Sequence, residues 1–200
     1  MAGRRLKVIV ELLKGVVEND YRIGDVGCGG GALLPYLLCS FPNQTLFAID
    51  RSKVTIENSL IFRDSSTKLI KKIIGDGLSP LIAQQETCDV LVLAGMGCQT
   101  IERILFHNHN HHHHHPVDVV AAKHVLIQPW PPNLLPMSAL CAAMLQLGGF
   151  EYSGQACDVV SGKTYVTTLF SRTQGPGKHA ALFDGGEEGA PPSQARWTSP

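Results

Sequence analysis

The spacing of apolar residues switches repeatedly between helical and extended periods, and these switches divide the chain into alternating elements. Residues 4–17 place Leu6, Val8, Ile9, Val10, Leu12, Leu13, Val16 and Val17 in a broad stripe at helical spacing, closed by Asn19 and Asp20. Residues 21–26 read as a short strand that runs into glycines. An apolar helix over 31–40 follows; Pro35 fits it only in the first turn, where no backbone N–H is needed. The run TLFAID over 45–50 is a buried strand ending in an acid, and 51–62 is helical. A strand over 71–74 stops at Gly75-Asp76-Gly77. The run DVLVL over 89–93 is continuous and rich in valine, and Gly95-Met96-Gly97 follows it; this marks a central strand covered on both faces. A helix over 100–106, a strand over 124–127 and a helix over 137–147, stopped by Gly148-Gly149, continue the alternation. Residues 150–160 and 163–171 form a hairpin around Ser161-Gly162.

Strands that alternate with helices predict an α/β fold: a mainly parallel, seven-stranded sheet with helices on both faces. The closing hairpin breaks the alternation, so the last strand enters the sheet antiparallel. Two segments stand outside this plan. Residues 107–115 (HNHNHHHHH) are low in complexity and read as a tolerated loop insertion, although a His tract can bind metal. Residues 172–200 are rich in Gly, Pro and Ser, lack an apolar period and read as a disordered tail. One domain over 1–171 is therefore expected.

Composition adds little to this plan. Hydrophobic residues make up 44% of the chain, enough for a real core. The net charge of zero gives no overall basic footprint for a nucleic acid. Basic residues do cluster at Arg4, Arg5, Lys7 and Lys14, and again at Lys68, Lys71 and Lys72; such clusters are more often solvated faces than phosphate contacts. Cys28, Cys39, Cys88, Cys98, Cys141 and Cys157 form no C-x-x-C pair and fit neither a zinc site nor a disulfide scaffold, so no metal site is assigned and a reducing compartment is expected. No apolar run reaches the ~18 residues of a membrane span. The N-terminal stripe carries Glu11 and Glu18 and reads as an amphipathic helix, not a secretory signal. The expected location is cytoplasmic or organellar, with no obligate protein partner.

The chemistry sits where the strands end. Gly27, Gly29, Gly30 and Gly31 follow the first strand, where glycine lets backbone approach a ligand closely. Gly27-Cys28-Gly29-Gly30-Gly31-Ala32 also satisfies the dinucleotide pattern G-x-G-x-x-G/A, so a nicotinamide cofactor must be weighed. Three acids tip the balance. Asp25 stands two residues before the first glycine, where a carboxylate opposes a diphosphate but suits a ligand carrying ammonium and sulfonium charges. Asp50 ends the second strand, where a carboxylate can accept both ribose hydroxyls. Asp76 follows the third, within reach of an adenine amino group. Together they point to S-adenosylmethionine. Gly95, Met96, Gly97, Gln128, Pro129 and Trp130 follow strands four and five on the same edge and are the expected walls of a substrate pocket; Met96 also fits a core position, and Trp130 suits stacking on a planar base and an exposed aromatic covering the next helix equally well. No catalytic acid or base is assigned; Glu102 and Asp89 stand near strand ends but read as structural.

These residues also carry a resemblance. Gly75-Asp76-Gly77-Leu78, Leu93-Ala94-Gly95-Met96-Gly97, Val125-Leu126-Ile127-Gln128-Pro129 and Gly162-Lys163-Thr164-Tyr165 follow in the order seen in the bacterial tRNA adenine-N1 methyltransferases of the TrmK family, and the chain resembles that family over roughly residues 4–171. The resemblance implies a Rossmann-like class I methyltransferase fold and methyl transfer from S-adenosylmethionine to N1 of an adenine in tRNA. It implies that Asp25, Gly27 and the following glycines Gly29 and Gly31, Asp50, Asp76 and Gly77 bind the cofactor, and that Gly95, Met96, Gly97, Gln128 and Pro129 border the target base; beside them, Cys28, Arg51 and Ala94 are expected at the cofactor and Trp130 at the substrate. The chain departs from the family pattern at three places. The loop after Asp25 is one residue longer and lacks the family's Asp-His pair, Trp130 replaces an Asn, and residues 172–200 do not resemble the family's C-terminal helical extension.

Overall fold

The computed structural model describes residues 3–59, 61, 69–106, 115–131, 134–146 and 149–173. The strands are β1 (Arg22–Val26), β2 (Thr45–Asp50), β3 (Ile70–Ile74), β4 (Val90–Ala94), β5 (His124–Gln128), β6 (Phe150–Val160) and β7 (Lys163–Arg172). They form one sheet in the order β3-β2-β1-β4-β5-β7-β6. The pairings from β3 through to β5 are parallel, whereas β7 runs antiparallel to both β5 and β6. This is the predicted sheet, with the closing hairpin supplying the reversed strand. The helices are α1 (Gly3–Lys14), α2 (Leu34–Ser40), α3 (Lys53–Asn58), α4 (Ser79–Ala83), α5 (Cys98–Phe106), α6 (Pro116–Val119) and α7 (Leu134–Gln146).

Alternation along the strands builds two cores. Leu46 and Ala48 of β2, Val90 and Val92 of β4 and Leu126 of β5 face one way, where they meet Leu6, Ile9, Val10 and Leu13 of α1 and Leu34 and Leu37 of α2. Their neighbours Phe47, Ile49, Leu91, Leu93, Val125 and Ile127 face the other way, onto Leu81 of α4, Ile101 and Leu105 of α5, Val117 of α6 and Met137, Leu140 and Met144 of α7. Every central strand is thus buried on both faces, which is why DVLVL lacks a polar side.

Several boundaries move for local reasons. Helix α2 starts at Leu34 rather than 31, because the glycine turn extends further and Pro35 takes the first helical turn. Helix α3 starts at Lys53, capped by the Ser52 hydroxyl accepting from the Thr55 N–H at 3.2 Å. It ends at Asn58, short of the expected 62, because Ser59 takes an extended backbone; Leu60, Phe62 and Gly148 lie outside the described residues. Helices α4 and α6 were not expected; with five and four residues they are too short for a period to register. Residue 172, expected in the tail, belongs to the sheet. Arg172 is the last residue of β7, where its Nε donates to the Ala122 carbonyl at 2.6 Å, its guanidinium pairs with Asp118 and its central carbon lies 4.2 Å from the centre of the Phe150 ring. Of the His tract only His115 is described, with Nδ1 3.0 Å from the Phe106 carbonyl; residues 107–114 and 174–200 lie outside the described residues.

The order of strands positions the site. From β1 the chain builds outward to β2 and β3, then returns to place β4 on the other side of β1. The reversal leaves a crevice outside the carboxyl ends of β1 and β4, the place where open α/β sheets bind ligands.

Candidate functional site

The loop after β1 is shaped by its own glycines and by the end of β2. Gly27 has φ +75°, a conformation that costs a side-chain-bearing residue about 1–2 kcal/mol. The N–H groups of Gly27 and Cys28 both donate to the Ile49 carbonyl, at 2.8 and 3.1 Å. The N–H of Gly29 donates to Asp50 Oδ2 at 2.8 Å, and the N–H of Ser52 donates to Oδ1 of the same carboxylate at 2.8 Å. Asp50 is therefore fixed from both sides, with one lone pair on each oxygen left for a ligand. Three consecutive loop amides are already engaged and do not form an open cradle for a diphosphate.

Asp25 lies beneath this loop, only 4% exposed. Its carboxyl forms no hydrogen bond or ion pair with another described residue. Burial, with the nearby Asp50 charge second, pushes it up to about 7. The adjacent Cys28 thiol is also buried and is pushed up to about 12 by burial, then by Asp25 and Asp50, so it stays a neutral thiol.

A cleft of about 490 Å³ opens from this loop toward β3. Its walls include Gly27, Asp50, Arg51, Asp76 and Gly77 of the expected cofactor set, together with Met96 and Gly97, which were expected at the substrate. Asp25, Cys28, Gly29, Gly31 and Ala94 do not line it; Cys28, Gly29 and Gly31 are in the loop itself, and Asp25 and Ala94 belong to β1 and β4. Arg103 was missed by sequence reasoning. It reaches from α5 across the end of β3 and grips Asp76 with two hydrogen bonds, Nη1 to Oδ2 at 2.7 Å and Nη2 to Oδ1 at 3.0 Å. An acid in a Gly-Asp-Gly turn is visible in a sequence, but its partner on a helix three elements later is not.

A second cleft, of about 400 Å³, lies on the other side of the Gly95–Gly97 turn. Gly95 and Trp130 line it as expected, joined by Arg5, Lys163 and Tyr165. Trp130 stacks on Tyr165 with ring centroids 4.9 Å apart and planes at 22°. Arg5 lies 5.3 Å over Tyr165, and Lys163 Nζ lies 4.8 Å over Trp130. The turns after β4 and β5 are laced together: the Gly95 N–H donates to the Gln128 carbonyl at 2.9 Å and the Trp130 N–H to the Met96 carbonyl at 2.8 Å.

Gln128 and Pro129 are not walls of this cleft. Gln128 is fully buried, and its Nε2 donates to Thr167 Oγ1 at 2.7 Å and to the Arg5 carbonyl at 3.4 Å. It ties α1 and β7 to β5 behind the cleft. Asp89 lies at the amino-terminal end of β4, away from the clefts, where it accepts from the Arg22 N–H at 2.9 Å and pairs with Lys123 at 3.0 Å; Glu102 is exposed on α5. Both are structural or solvent-facing. Among the described residues no group of His, Cys, Asp and Glu could hold a metal ion, and no helix is long and apolar enough to cross a membrane.

The sequence profile of the methyltransferase domain matches residues 2–129, from α1 through β5. The chain belongs to this family. Its matched region contains all of the first cleft and the turn that separates the two clefts. No curated protein matches the chain in sequence. Solved structures share the fold. TrmK of M. capricolum, solved with S-adenosylhomocysteine, aligns with a TM-score of 0.63 at 16% identity, covering 86% of this chain and 69% of that one. Streptococcus pneumoniae Sp1610, a putative tRNA (m1A22) methyltransferase solved with S-adenosyl-L-methionine, aligns with a TM-score of 0.64 at 21% identity, covering 86% and 73%. Precorrin-6y C5,15-methyltransferase of Geobacter metallireducens aligns with a TM-score of 0.59 at 11% identity, covering 84% and 87%. Methyltransferases of very different substrates thus share the architecture, and the substrate must be argued from the clefts.

Proposed function

We propose that this methyltransferase transfers a methyl group from S-adenosylmethionine to N1 of an adenine in RNA, with tRNA as the substrate. The observation that carries the reading is the pair of clefts meeting at the Gly95–Gly97 turn: one ringed by carboxylates at successive strand ends, the other by stacked aromatic rings and cations. The likeness to structures described as tRNA (m1A22) methyltransferases supports the same reading, as do the Gly-Asp-Gly-Leu and Ala-Gly-Met-Gly runs.

The residues of the first cleft fit the cofactor. Asp50 is preset to accept ribose hydroxyls, and Asp76, oriented by Arg103, to accept an adenine amino group. Asp25 and Asp50 place negative charge near the loop, which favours a ligand with ammonium and sulfonium groups. The same charges, and the engaged amides of Gly27, Cys28 and Gly29, disfavour the diphosphate of a nicotinamide cofactor. When bound, S-adenosylmethionine supplies an electrophilic methyl group. The chain's own part is positional: Met96 and Gly97 border the first cleft while Gly95 borders the second, so the turn is the point where donor and acceptor meet. A neutral adenine N1 offers its lone pair directly, so its attack requires no prior proton removal.

The test is methyl incorporation from labelled S-adenosylmethionine into tRNA transcripts. Label in RNA supports the reading; label appearing only in small molecules or protein contradicts it.

A further inference from the structure

The second cleft has a charge character that methyl transfer alone does not require. Arg5 and Lys163 both reach it, from opposite ends of the sequence, and neither forms an ion pair with a described residue. Among the described residues no carboxylate lines it. Asp158, which faces Tyr165 across the hairpin, is buried and paired with Arg4 at 3.1 Å. Each of the two cations is parked over an aromatic ring, and the two rings are stacked on each other. Arg5 is steadied further by Gln128 Oε1, which accepts from its Nη1 at 3.5 Å.

An N1-methylated adenine is itself a cation, so this positive charge does not serve the product. It serves an anion that accompanies the base. Single-stranded RNA presents that combination, a planar base with phosphates on either side, and proteins hold it with aromatic platforms flanked by Arg and Lys. Resting on the proposal that RNA is the substrate, we propose that Arg5 and Lys163 grip the phosphates flanking the target nucleotide while the Trp130–Tyr165 stack receives an unpaired base. The grip comes from the N-terminal helix and the β6–β7 turn, on the face of the sheet edge where the methyl group is delivered. It gives a chain of zero net charge a local footprint for RNA.

The test measures binding of a labelled tRNA transcript across a series of salt concentrations for the wild-type chain, Lys163→Gln, Arg5→Gln and Trp130→Ala, with calorimetry of S-adenosylhomocysteine on each. Lys163 lies beside the exposed hairpin turn, so its variant is the least disturbing. Each lost phosphate contact is expected to weaken RNA binding and to flatten the slope of log K against log salt by about 0.7. Trp130→Ala is expected to weaken binding about tenfold with the slope unchanged. S-adenosylhomocysteine affinity is expected to stay at the wild-type value throughout, which confirms folding. RNA affinity and slope unchanged in Lys163→Gln and Arg5→Gln, while the wild-type chain methylates RNA, would overturn the grip and leave the proposed reaction standing. A wild-type chain that neither retains nor methylates RNA overturns both.

Discussion

Gly27 and Met96 touch across the crevice between β1 and β4: a Cβ added to Gly27 would lie 2.7 Å from Met96 Sδ. The contact joins the two loops on which the site depends. It also explains why glycine is needed at this position twice over, once for φ +75° and once for space. Gly27→Ala is expected to lower both melting temperature and S-adenosylhomocysteine affinity, because Met96 is pushed into the first cleft. Adding Met96→Ala relieves the contact and recovers part of the loss, leaving the backbone cost of about 1–2 kcal/mol. A double-mutant cycle on stability checks this; strictly additive effects would show that the two loops are not coupled.

Asp25 makes the site sensitive to pH. Its carboxyl is held up at about 7 in the folded chain by burial and by Asp50, above the ordinary value of an unfolded aspartate. The folded state therefore binds the extra proton, and this group's effect is to reduce stability as pH rises from the unfolded value through about 7, with no further change above it. Asp25→Asn removes that slope in urea titrations performed across the range. Affinity for a cationic cofactor runs the other way. It rises as Asp25 ionises toward neutral pH in the wild-type chain, and calorimetry of S-adenosylmethionine on Asp25→Asn is expected to show the rise abolished.

The Asp76–Arg103 pair is exposed, so it contributes little to folding, and its value lies in orienting an acceptor. Asp76→Asn keeps the size of the side chain but loses the charge. It is expected to weaken S-adenosylhomocysteine binding about tenfold or more, as the loss of a charged hydrogen bond would. Arg103→Ala leaves the carboxylate in place but free to rotate, and is expected to weaken binding only about two- to threefold, the size of a weak exposed ion pair. Equal losses in the two variants would mean that Arg103, not Asp76, meets the ligand.

Gln128 is expected to behave as a structural residue. Replacing it with Ala strands the buried Thr167 hydroxyl and loosens Arg5, a cost of about 1–3 kcal/mol and several degrees of melting temperature. Thermal unfolding of Gln128→Ala, alongside S-adenosylhomocysteine binding well below its midpoint, separates this from a role in the cofactor cleft: stability falls and cofactor affinity holds.

The sheet was legible because its strands have to feed two cores. Continuous apolar runs such as VLVL and VLI, with helical sequence between them, fit a covered parallel sheet, and the hairpin at Ser161-Gly162 announces its own reversal. The acids were legible because a carboxylate directly after a strand and beside glycine has few structural uses. Partners brought in from a distance were not. Arg103 looks like any exposed helix residue until α5 is laid over the end of β3. Arg5 and Tyr165 are separated by most of the chain and meet only because β7 inserts beside β5, under α1. Gln128 was misplaced for the converse reason. A polar residue at a strand end reads as a surface group, and it takes partners from distant elements, the Thr167 hydroxyl on β7 and the carbonyl and guanidinium of Arg5 on α1, to make its burial possible.

Nucleoside mass spectrometry of a tRNA transcript, incubated with the purified chain and S-adenosylmethionine and then digested to nucleosides, tests the central claim most directly. N1-methyladenosine is the expected product, and it should be strongly reduced when the Asp76→Asn variant is used at cofactor concentrations that just saturate the wild-type chain. Methylation confined to another base or to another adenine nitrogen, or no methylated nucleoside from a chain that binds S-adenosylhomocysteine, would contradict the assignment.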